Sequence, residues 1–144
     1  MGALRNLAGN IAYDTIGTGN AGAVEAVVQA MRTHSNDHVL QTRACGALRK
    51  LSRRVTANRT LAVNAGATEV AVAAMRTHAS VADLQERTCG VLRNLSSSIV
   101  ESRNLAGNAD AVEAVVAALR GHPTSAKVQE TACAGVLFPH KGQR

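Results

Sequence analysis

The chain has 144 residues, which is enough for one domain with a core but not for two. Hydrophobic residues make up 46% of it, almost all Ala, Val and Leu, which with evenly spread charge argues against a disordered chain. No apolar run approaches the roughly 18 residues that a membrane span needs. Sixteen basic and ten acidic residues give a net charge of +6, so the surface favours anionic partners.

One segment of the sequence recurs every 44 residues. Cys89 to Leu95 reads CGVLRNL and Cys45 to Leu51 reads CGALRKL, with shorter matches at 2–7 and 133–137. Aligning 21–64 with 65–108 without a gap gives 23 identical residues of 44. Chance does not produce this similarity, so the chain is predicted to be a repeat array in which one supersecondary unit is stacked on the next.

The chain begins with a partial unit and a weak helix. Residues 2–8 have the pattern of the second half of a helix. Residues 10–20 are predicted to form a short helix that recurs in each later unit. Gly17 and Gly19 lie inside this first copy, and a glycine costs about 1 kcal/mol in a helix interior. We therefore expect the first short helix to be frayed.

A helix of medium length is predicted next, over residues 22–33. Its apolar residues recur at i, i+3, i+4 and i+7, which is typical of an amphipathic helix. The stripe consists of Val24, Val27, Val28 and Met31, then of Thr68, Ala71, Val72 and Met75, and then of Val112, Val115, Val116 and Leu119. Each copy is predicted to bury this face.

A longer helix follows, from about Asp37 to Arg53. Its inward positions are predicted to be Leu40, Ala44, Ala47, Leu48 and Leu51. In the second copy, Ser80 to Asp83 reads as a capping box with Asp in place of Glu. The third copy opens after Pro123, a residue that is tolerated at a helix start. Each unit is thus predicted to contain a short, a medium and a long helix.

The three cysteines share one repeat position. Neighbouring stacked helices lie about 10 Å apart, farther than the roughly 4.4–6.8 Å between the Cα atoms of a disulfide. We therefore expect free thiols, packed as small buried hydrophobes. With no recognisable secretory or myristoylation signal in the sequence, this favours a cytoplasmic location, with the nucleus as the alternative.

The repeat plan resembles that of the armadillo family. The residues that carry the resemblance are AGAVEAVV at 21–28, AGATEVAV at 65–72 and GVLRNL at 90–95. The resemblance implies an all-α fold, an armadillo-type superhelix (solenoid) of roughly three 44-residue repeats forming a single domain over 1–144. Its expected boundaries are a partial repeat at 1–9, repeats at 10–53, 54–97 and 98–138, and a tail at 139–144.

The resemblance also implies a binding site. In armadillo proteins the third helices line a concave groove, and an asparagine there hydrogen-bonds the backbone of an extended peptide. Asn6 and Asn94 match that asparagine, while Lys50 departs from it. Gly46 and Gly90 stand where the nuclear-import branch has Trp, which argues against binding of a nuclear localisation signal.

The predicted groove is basic. Its peptide-binding residues are predicted to be Asn6, Arg43, Lys50, Arg87 and Asn94, and its candidate anion-binding residues are Arg49, Arg53, Arg54 and Arg93. Such a groove suits acidic or phosphorylated segments. The alternative interpretation is an ordinary solvated helix face whose cations complement the helix dipole.

Other motifs have simpler interpretations. His34, His78 and His122 are expected about 10 Å apart, whereas zinc ligands lie within about 2.1 Å of the ion. They are better placed to close the ends of the second helices. Gly17 to Gly22 matches G-x-G-x-x-G but lacks the flanking strands of a dinucleotide site, so we interpret it as a linker.

No catalytic constellation is present in the sequence, so we expect no enzyme activity, cofactor or metal. The leading hypothesis is a non-catalytic scaffold that binds a protein or an extended acidic peptide. Binding of nucleic acid is the first alternative, although the near absence of aromatic residues speaks against RNA. A second alternative is self-assembly through the ends of the stack, because no polar cap is evident at either end. The other explanation of the missing caps is that the sequence is a fragment of a longer array.

Overall fold

The computed structural model describes residues 19–96 and 105–137, and all regular structure within these ranges is helical. The all-α prediction is therefore confirmed for the described chain. Its seven helices are α1 (Gly19–Thr33), α2 (His38–Arg53), α3 (Thr56–Ala65), α4 (Ala67–Thr77), α5 (Ala82–Leu95), α6 (Leu105–Gly121) and α7 (Ala126–Leu137). None of these helices is both long and apolar enough to cross a lipid bilayer.

The second unit contains the expected short, medium and long helices, which are α3, α4 and α5. Gly66 separates α3 from α4 with a φ of 90°, in the left-handed region that glycine adopts without steric cost. Its N–H caps α3 by donating to the carbonyls of Ala62 and Val63. In the next unit Asp110 stands at the position of Gly66, and α6 runs through it without a break.

The medium helices α1 and α4 bury the predicted stripes in full, including Val24 and Met31 in α1 and Met75 in α4. The prediction is wrong for Val112 in α6, which is 42% exposed. There the buried face is formed by Val115 together with small residues, Ala114 and Ala118. Val116 and Leu119, the remaining residues of the predicted stripe, are half-buried.

The long helices α2, α5 and α7 pack side by side, α5 between the other two. Their large buried side chains form the centre of the core: Leu48 and Leu51 from α2, Leu84 and Leu95 from α5, and Val128 from α7. This row of equivalent helices places residues that are 44 positions apart next to one another. The surface that the row presents carries the candidate site.

The starts of the long helices are capped differently. The Asp37 carboxylate accepts a hydrogen bond from the Leu40 N–H at 3.1 Å, as an N-cap does. The capping box predicted at Ser80 to Asp83 is wrong, since the N-cap of α5 is Val81 and it makes no side-chain hydrogen bond. The Asp83 carboxylate is turned instead towards Arg87, at 3.2 Å from its Nε.

A glutamine, buried in the first two units and half-buried in the third, joins each long helix to the medium helix before it. The Gln41 amide donates to the carbonyls of Met31 and His34 at 3.0 and 2.9 Å. Gln85 and Gln129 repeat the two contacts one and two units later. The last carbonyls of a helix have no partner within the helix, and these amides supply one, although the histidine carbonyls also accept a backbone N–H from the loop.

The cysteines are free thiols, but they are not equally buried. Cys45 and Cys89 are fully buried, whereas Cys133 is exposed, so the expectation that all three are buried is wrong for the third. Thr88 of α5 covers Cys45, and its hydroxyl oxygen lies within hydrogen-bond distance of the sulfur, at 3.2 Å. Burial at this position depends on contact with the following long helix.

Several predictions fall outside the described residues. They concern the partial helix at 2–8, the first short helix at 10–20 apart from its last two residues, the stretch 97–104, the tail at 139–144, and Asn6.

Candidate functional site: a groove on the long helices

The long helices share a groove of about 470 Å³. It lies mainly over α2 and α5, and α7 contributes one residue. The lining residues are Gly46, Arg49, Lys50, Arg53, Asp83, Glu86, Arg87, Gly90, Arg93, Asn94 and Lys127. Two glycines, Gly46 and Gly90, are part of the lining, and the Arg49 side chain lies over Gly90.

Most of the predicted site residues come together in this groove. They are Lys50, Arg87 and Asn94 of the peptide-binding set and Arg49, Arg53 and Arg93 of the anion-binding set. Arg43 lines a neighbouring depression that also contains Arg87. Arg54 is the exposed C-cap residue of α2 and does not line the groove. The role of these residues in binding stays a prediction.

Two of the six cations in the groove are paired with carboxylates. Arg49 of α2 reaches across to α5, where its Nη1 lies 2.9 Å from Oε2 of Glu86. Arg87 pairs with Asp83 one turn earlier in α5 and also donates to the Thr42 carbonyl at 3.5 Å. These arginines bridge or brace the helices, so their charges are partly neutralised within the chain.

The other four cations face solvent. Lys50, Arg53, Arg93 and Lys127 are exposed, and no ion pair joins any of them to a carboxylate of the described residues. Lys50 and Arg53 lie in the last turn of α2 and Arg93 in that of α5. The carboxyl-terminal ends of the two helices thus give one side of the groove an excess of positive charge.

The Asn94 side chain joins α5 to α2. Its Nδ2 donates to the Arg49 carbonyl at 3.0 Å and lies 3.2 Å from the Ser52 hydroxyl oxygen. The amide hydrogens are therefore directed towards the adjacent repeat. The ladder role that the resemblance implies stays a prediction, and a ligand backbone would have to compete with these contacts for the amide hydrogens.

Side chains from α3 hold the carboxyl-terminal end of α2 in place. Asn58, which is buried, donates to the Leu51 carbonyl at 2.7 Å. Arg59 donates to the carbonyls of Ser52 and Arg53 at 3.0 and 3.1 Å. These contacts satisfy carbonyls that the helix itself leaves open and fix the turn that carries Lys50 and Arg53. Arg59 thus caps the carboxyl-terminal end of α2.

The neighbouring depression has about 440 Å³ and a more apolar character. Its lining includes Val39, which is 45% exposed, and Val81, alongside Arg43 and Arg87. Val39, Asp83 and Lys127 occupy one repeat position on three successive long helices. The side chain at this position is apolar in the first unit, acidic in the second and basic in the third. The repeat pattern alone therefore does not identify the position as part of a site.

Lys127 is a groove residue that the sequence analysis missed. The predicted site was built on the asparagine position of the third helices and the arginines near it, whereas Lys127 lies in the first turn of α7. The available signal was its repeat position, which Asp83 occupies 44 residues earlier, one turn before Arg87. The pairing of Arg49 with Glu86 was also missed, because it links residues of different units.

The histidines connect loops. The Nε2 atom of His78 lies 2.8 Å from the Ser35 carbonyl oxygen, and that of His122 lies 2.8 Å from the Ala79 carbonyl oxygen. Each ring therefore contacts the loop of the preceding unit, donating when Nε2 carries the proton. Within residues 19–96 and 105–137, no three His, Cys, Asp or Glu side chains lie close enough together to share a metal ion.

A family model described as LRRK2 ARM repeat matches residues 1–140. No curated protein and no solved structure matches the chain significantly.

Proposed function

Because the chain belongs to the LRRK2 ARM repeat family, we propose that it is a non-catalytic scaffold that holds an extended acidic segment of a partner protein in the groove on its long helices. Armadillo repeats mediate protein interactions, which supports the class of partner. The proposal includes the overall architecture: the helices form an armadillo superhelix of three units, at 10–53, 54–97 and 98–138.

The observation that carries the proposal is the group of exposed cations on one side of the groove. Lys50, Arg53 and Arg93 lie on adjacent helices without a carboxylate partner among the described residues. A cleft lined by one sign of charge attracts ligands of the other sign and raises their association rate. An extended chain that crosses α2 and α5 would pass all three side chains.

Nucleic acid is the second candidate, favoured by the same cations and by the net charge of +6. One feature of the site argues for the peptide. The lining of the groove contains no aromatic side chain on which a base would stack.

Location and self-association follow as further parts of the proposal. The buried free thiols support a reducing compartment, and we propose the cytoplasm. Self-association through the ends of the helical stack remains a separate hypothesis, which light scattering over a range of protein concentrations would test.

Charge reversal at Lys50 tests the proposed site. The probe is a fluorescently labelled, glutamate-rich peptide of about 12 residues, which spans about 40 Å when extended. We expect Lys50→Glu to weaken its binding about tenfold, because an attractive contact becomes repulsive, and we expect the affinity to fall with added salt. Fluorescence anisotropy measures both effects.

The matched control is Arg120→Glu, which makes the same change of charge on the exposed last turn of α6, outside the groove. It should reduce affinity about twofold or less, through net charge alone. Equal losses for the two variants would show that the groove is not the site. Tighter binding of a labelled single-stranded oligonucleotide than of the peptide, lost steeply with salt, would favour nucleic acid.

A further inference from the structure

The neighbouring depression contains one of the two large hydrophobic side chains that are exposed among the described residues. Val39 is 45% exposed in the first turn of α2, and Val112 of α6 is the other. The half-buried Val81 lines the same depression from the N-cap of α5. Aliphatic side chains from two adjacent units thus form an apolar patch that the chain leaves partly open to solvent.

The charged side chains around this patch include a cation without an ion pair. Arg43 and Arg87 line the depression together with Asp83, whose carboxylate lies 3.2 Å from Nε of Arg87. No ion pair joins Arg43 to a carboxylate of residues 19–96 and 105–137. The depression therefore combines an apolar surface with a positive charge that a ligand anion can neutralise.

The depression is continuous with the groove, because Asp83 and Arg87 line both. A single stripe of α2 also runs from one to the other, since positions i, i+4, i+7 and i+11 of a helix share a face. Its residues are Val39, Arg43, Gly46 and Lys50. One extended ligand can therefore contact the apolar patch and the exposed cations of the groove together.

We propose that the neighbouring depression is an anchor subsite for the partner segment. In it an aliphatic side chain, such as leucine, packs on Val39 and Val81, and a nearby carboxylate of the segment pairs with Arg43. This inference rests on the proposed function, since it names a second feature of the acidic segment that the groove binds. The partner is accordingly an acidic segment with an aliphatic residue at a fixed distance from its acidic run.

The length of α2 sets this distance. Val39 and Lys50 are 11 residues apart, which corresponds to about 16 Å along the helix axis. An extended chain advances about 3.3 Å per residue, so about five residues cover the interval. Arg43 lies one turn after Val39, so a carboxylate about two residues from the anchor would face it. The segment can then cross to α5, where Arg93 lies.

Burial of apolar surface favours a segment with such an anchor. An aliphatic side chain that leaves water stabilises the complex in proportion to the apolar area that it removes from solvent. The exposed part of Val39 is covered in the same step. A segment of acidic residues alone would leave the patch in contact with water, so it should bind more weakly.

The experiment uses fluorescently labelled peptides of about 12 residues with a run of glutamates. Leucine stands about five residues before the run in one peptide and about five residues after it in another, because an extended chain can lie in either direction. A further glutamate lies between the leucine and the run. Each peptide has a matched version with alanine in place of leucine, and fluorescence anisotropy measures the dissociation constants.

The test variant is Val39→Thr. Threonine keeps the shape of valine but replaces a methyl group by a hydroxyl, which an apolar ligand side chain would bury without a hydrogen-bond partner. Val112→Thr is the matched control, because it makes the same substitution at the other exposed valine, outside the groove and the depression. Arg43→Gln tests the carboxylate separately.

We expect leucine to bind the wild-type chain about fivefold more tightly than alanine in one of the two peptide orders. Val39→Thr should reduce this advantage to about twofold or less, whereas Val112→Thr should leave it at about fivefold. Arg43→Gln should weaken the leucine and alanine peptides alike, about threefold, because it removes a charge contact and not the apolar one.

The outcomes separate this inference from the proposed function. A leucine advantage that is equal in the wild-type chain and in Val39→Thr, or absent in both peptide orders, overturns the anchor, even when Lys50→Glu weakens every peptide. An affinity that Arg43→Gln leaves unchanged overturns the carboxylate beside the anchor. If no peptide binds the wild-type chain, the inference and the proposed function both fail. Circular dichroism of each variant checks that its helical content is unchanged.

Discussion

The three cysteines show how one repeat position acquires different chemical properties. Loss of hydration in the core raises the pKa of the Cys45 thiol to about 11, against smaller lowering effects of the Thr88 hydrogen bond and of Arg87. Burial, followed by the charge of Glu86, raises the pKa of Cys89 to about 12 despite Arg49. Cys133 is exposed. The neighbouring helix, and not the position in the repeat, decides the reactivity of each thiol.

Thiol labelling at pH 8 should therefore distinguish the three sites. The thiolate is the reactive form, so Cys133 should react at least about 100-fold faster than Cys45 or Cys89 in the folded chain. Mass spectrometry after a short exposure to iodoacetamide measures the modification of each residue. In denaturant all three should react alike, whereas uniform labelling of the folded chain would contradict the burial of the first two.

Single residues also show where sequence patterns stop being informative. The position of Asn94 on the groove was predictable from its register, but the hydrogen bonds of its amide to Arg49 and Ser52 were not. The same holds for Glu86, whose partner lies 37 residues away in another unit. A periodic sequence identifies the surface on which a side chain lies, but the neighbour that it binds depends on the distance between the stacked helices.

At the scale of elements, the buried glutamines are structural residues with a measurable contribution. Gln85 is 2% exposed and donates to the carbonyls of Met75 and His78. Removing the amide would leave the Met75 carbonyl, at a buried place, without this partner, whereas the His78 carbonyl keeps its hydrogen bond from the Val81 N–H. Such unsatisfied groups cost about 1–3 kcal/mol each.

We expect Gln85→Ala to lower the free energy of unfolding by about 2 kcal/mol, measured by urea denaturation followed by circular dichroism. Gln29→Ala is the control, since Gln29 is exposed and makes only a 3.5 Å hydrogen bond to Thr33. It should change stability by about 0.5 kcal/mol or less. Equal effects of the two substitutions would mean that the capping contacts contribute nothing.

The helices themselves were largely predictable, because apolar stripes and glycine positions dominate their formation. The stripe at Val24 to Met31 and the break at Gly66 are both local features of the sequence. Two details were not. Asp83 was predicted to complete a capping box but pairs with Arg87, and Val112 was predicted to be buried but is exposed. A carboxylate can cap the helix or pair with a nearby arginine, and an apolar stripe can turn either edge towards the core. The sequence pattern does not distinguish between these contacts.

At the scale of the whole molecule, the buried thiols link stability to alkaline pH. The ordinary cysteine pKa of 9.0 applies to the unfolded chain, while the folded chain holds Cys45 and Cys89 at about 11 and about 12. Above pH 9 the unfolded chain loses these protons first. The stabilisation is therefore complete below pH 9 and is lost as the pH rises towards the folded values.

Each thiol should contribute a loss of up to about 1.4 kcal/mol per pH unit above 9. Urea denaturation at pH 8, 9, 10 and 10.5 measures the slope for the wild-type chain. Other groups titrate in the same range, so the comparison is with the Cys45→Ala, Cys89→Ala double variant, which should lose less stability over this interval. Parallel slopes in the two proteins would argue against protonated thiols in the core.

The groove is a property of the assembled chain, and it was predictable only in outline. Stacking units of equal length brings Lys50, Arg87 and Asn94 onto one surface, and register alone predicted this. The division of its cations into paired and exposed groups depends on contacts between α2 and α5, which the sequence does not encode as a pattern. The contribution of α7 through Lys127 likewise requires the packed structure.

Two imidazole rings fix the spacing between adjacent loops. His78 reaches a carbonyl 43 residues before it, and His122 does the same one unit later. An inserted residue between α1 and α2, or between α4 and α5, would bring a different peptide group opposite the ring. The length of the loop after each medium helix is therefore constrained twice. It must suit the turn that the loop itself forms, and it must place a carbonyl opposite the histidine of the next unit.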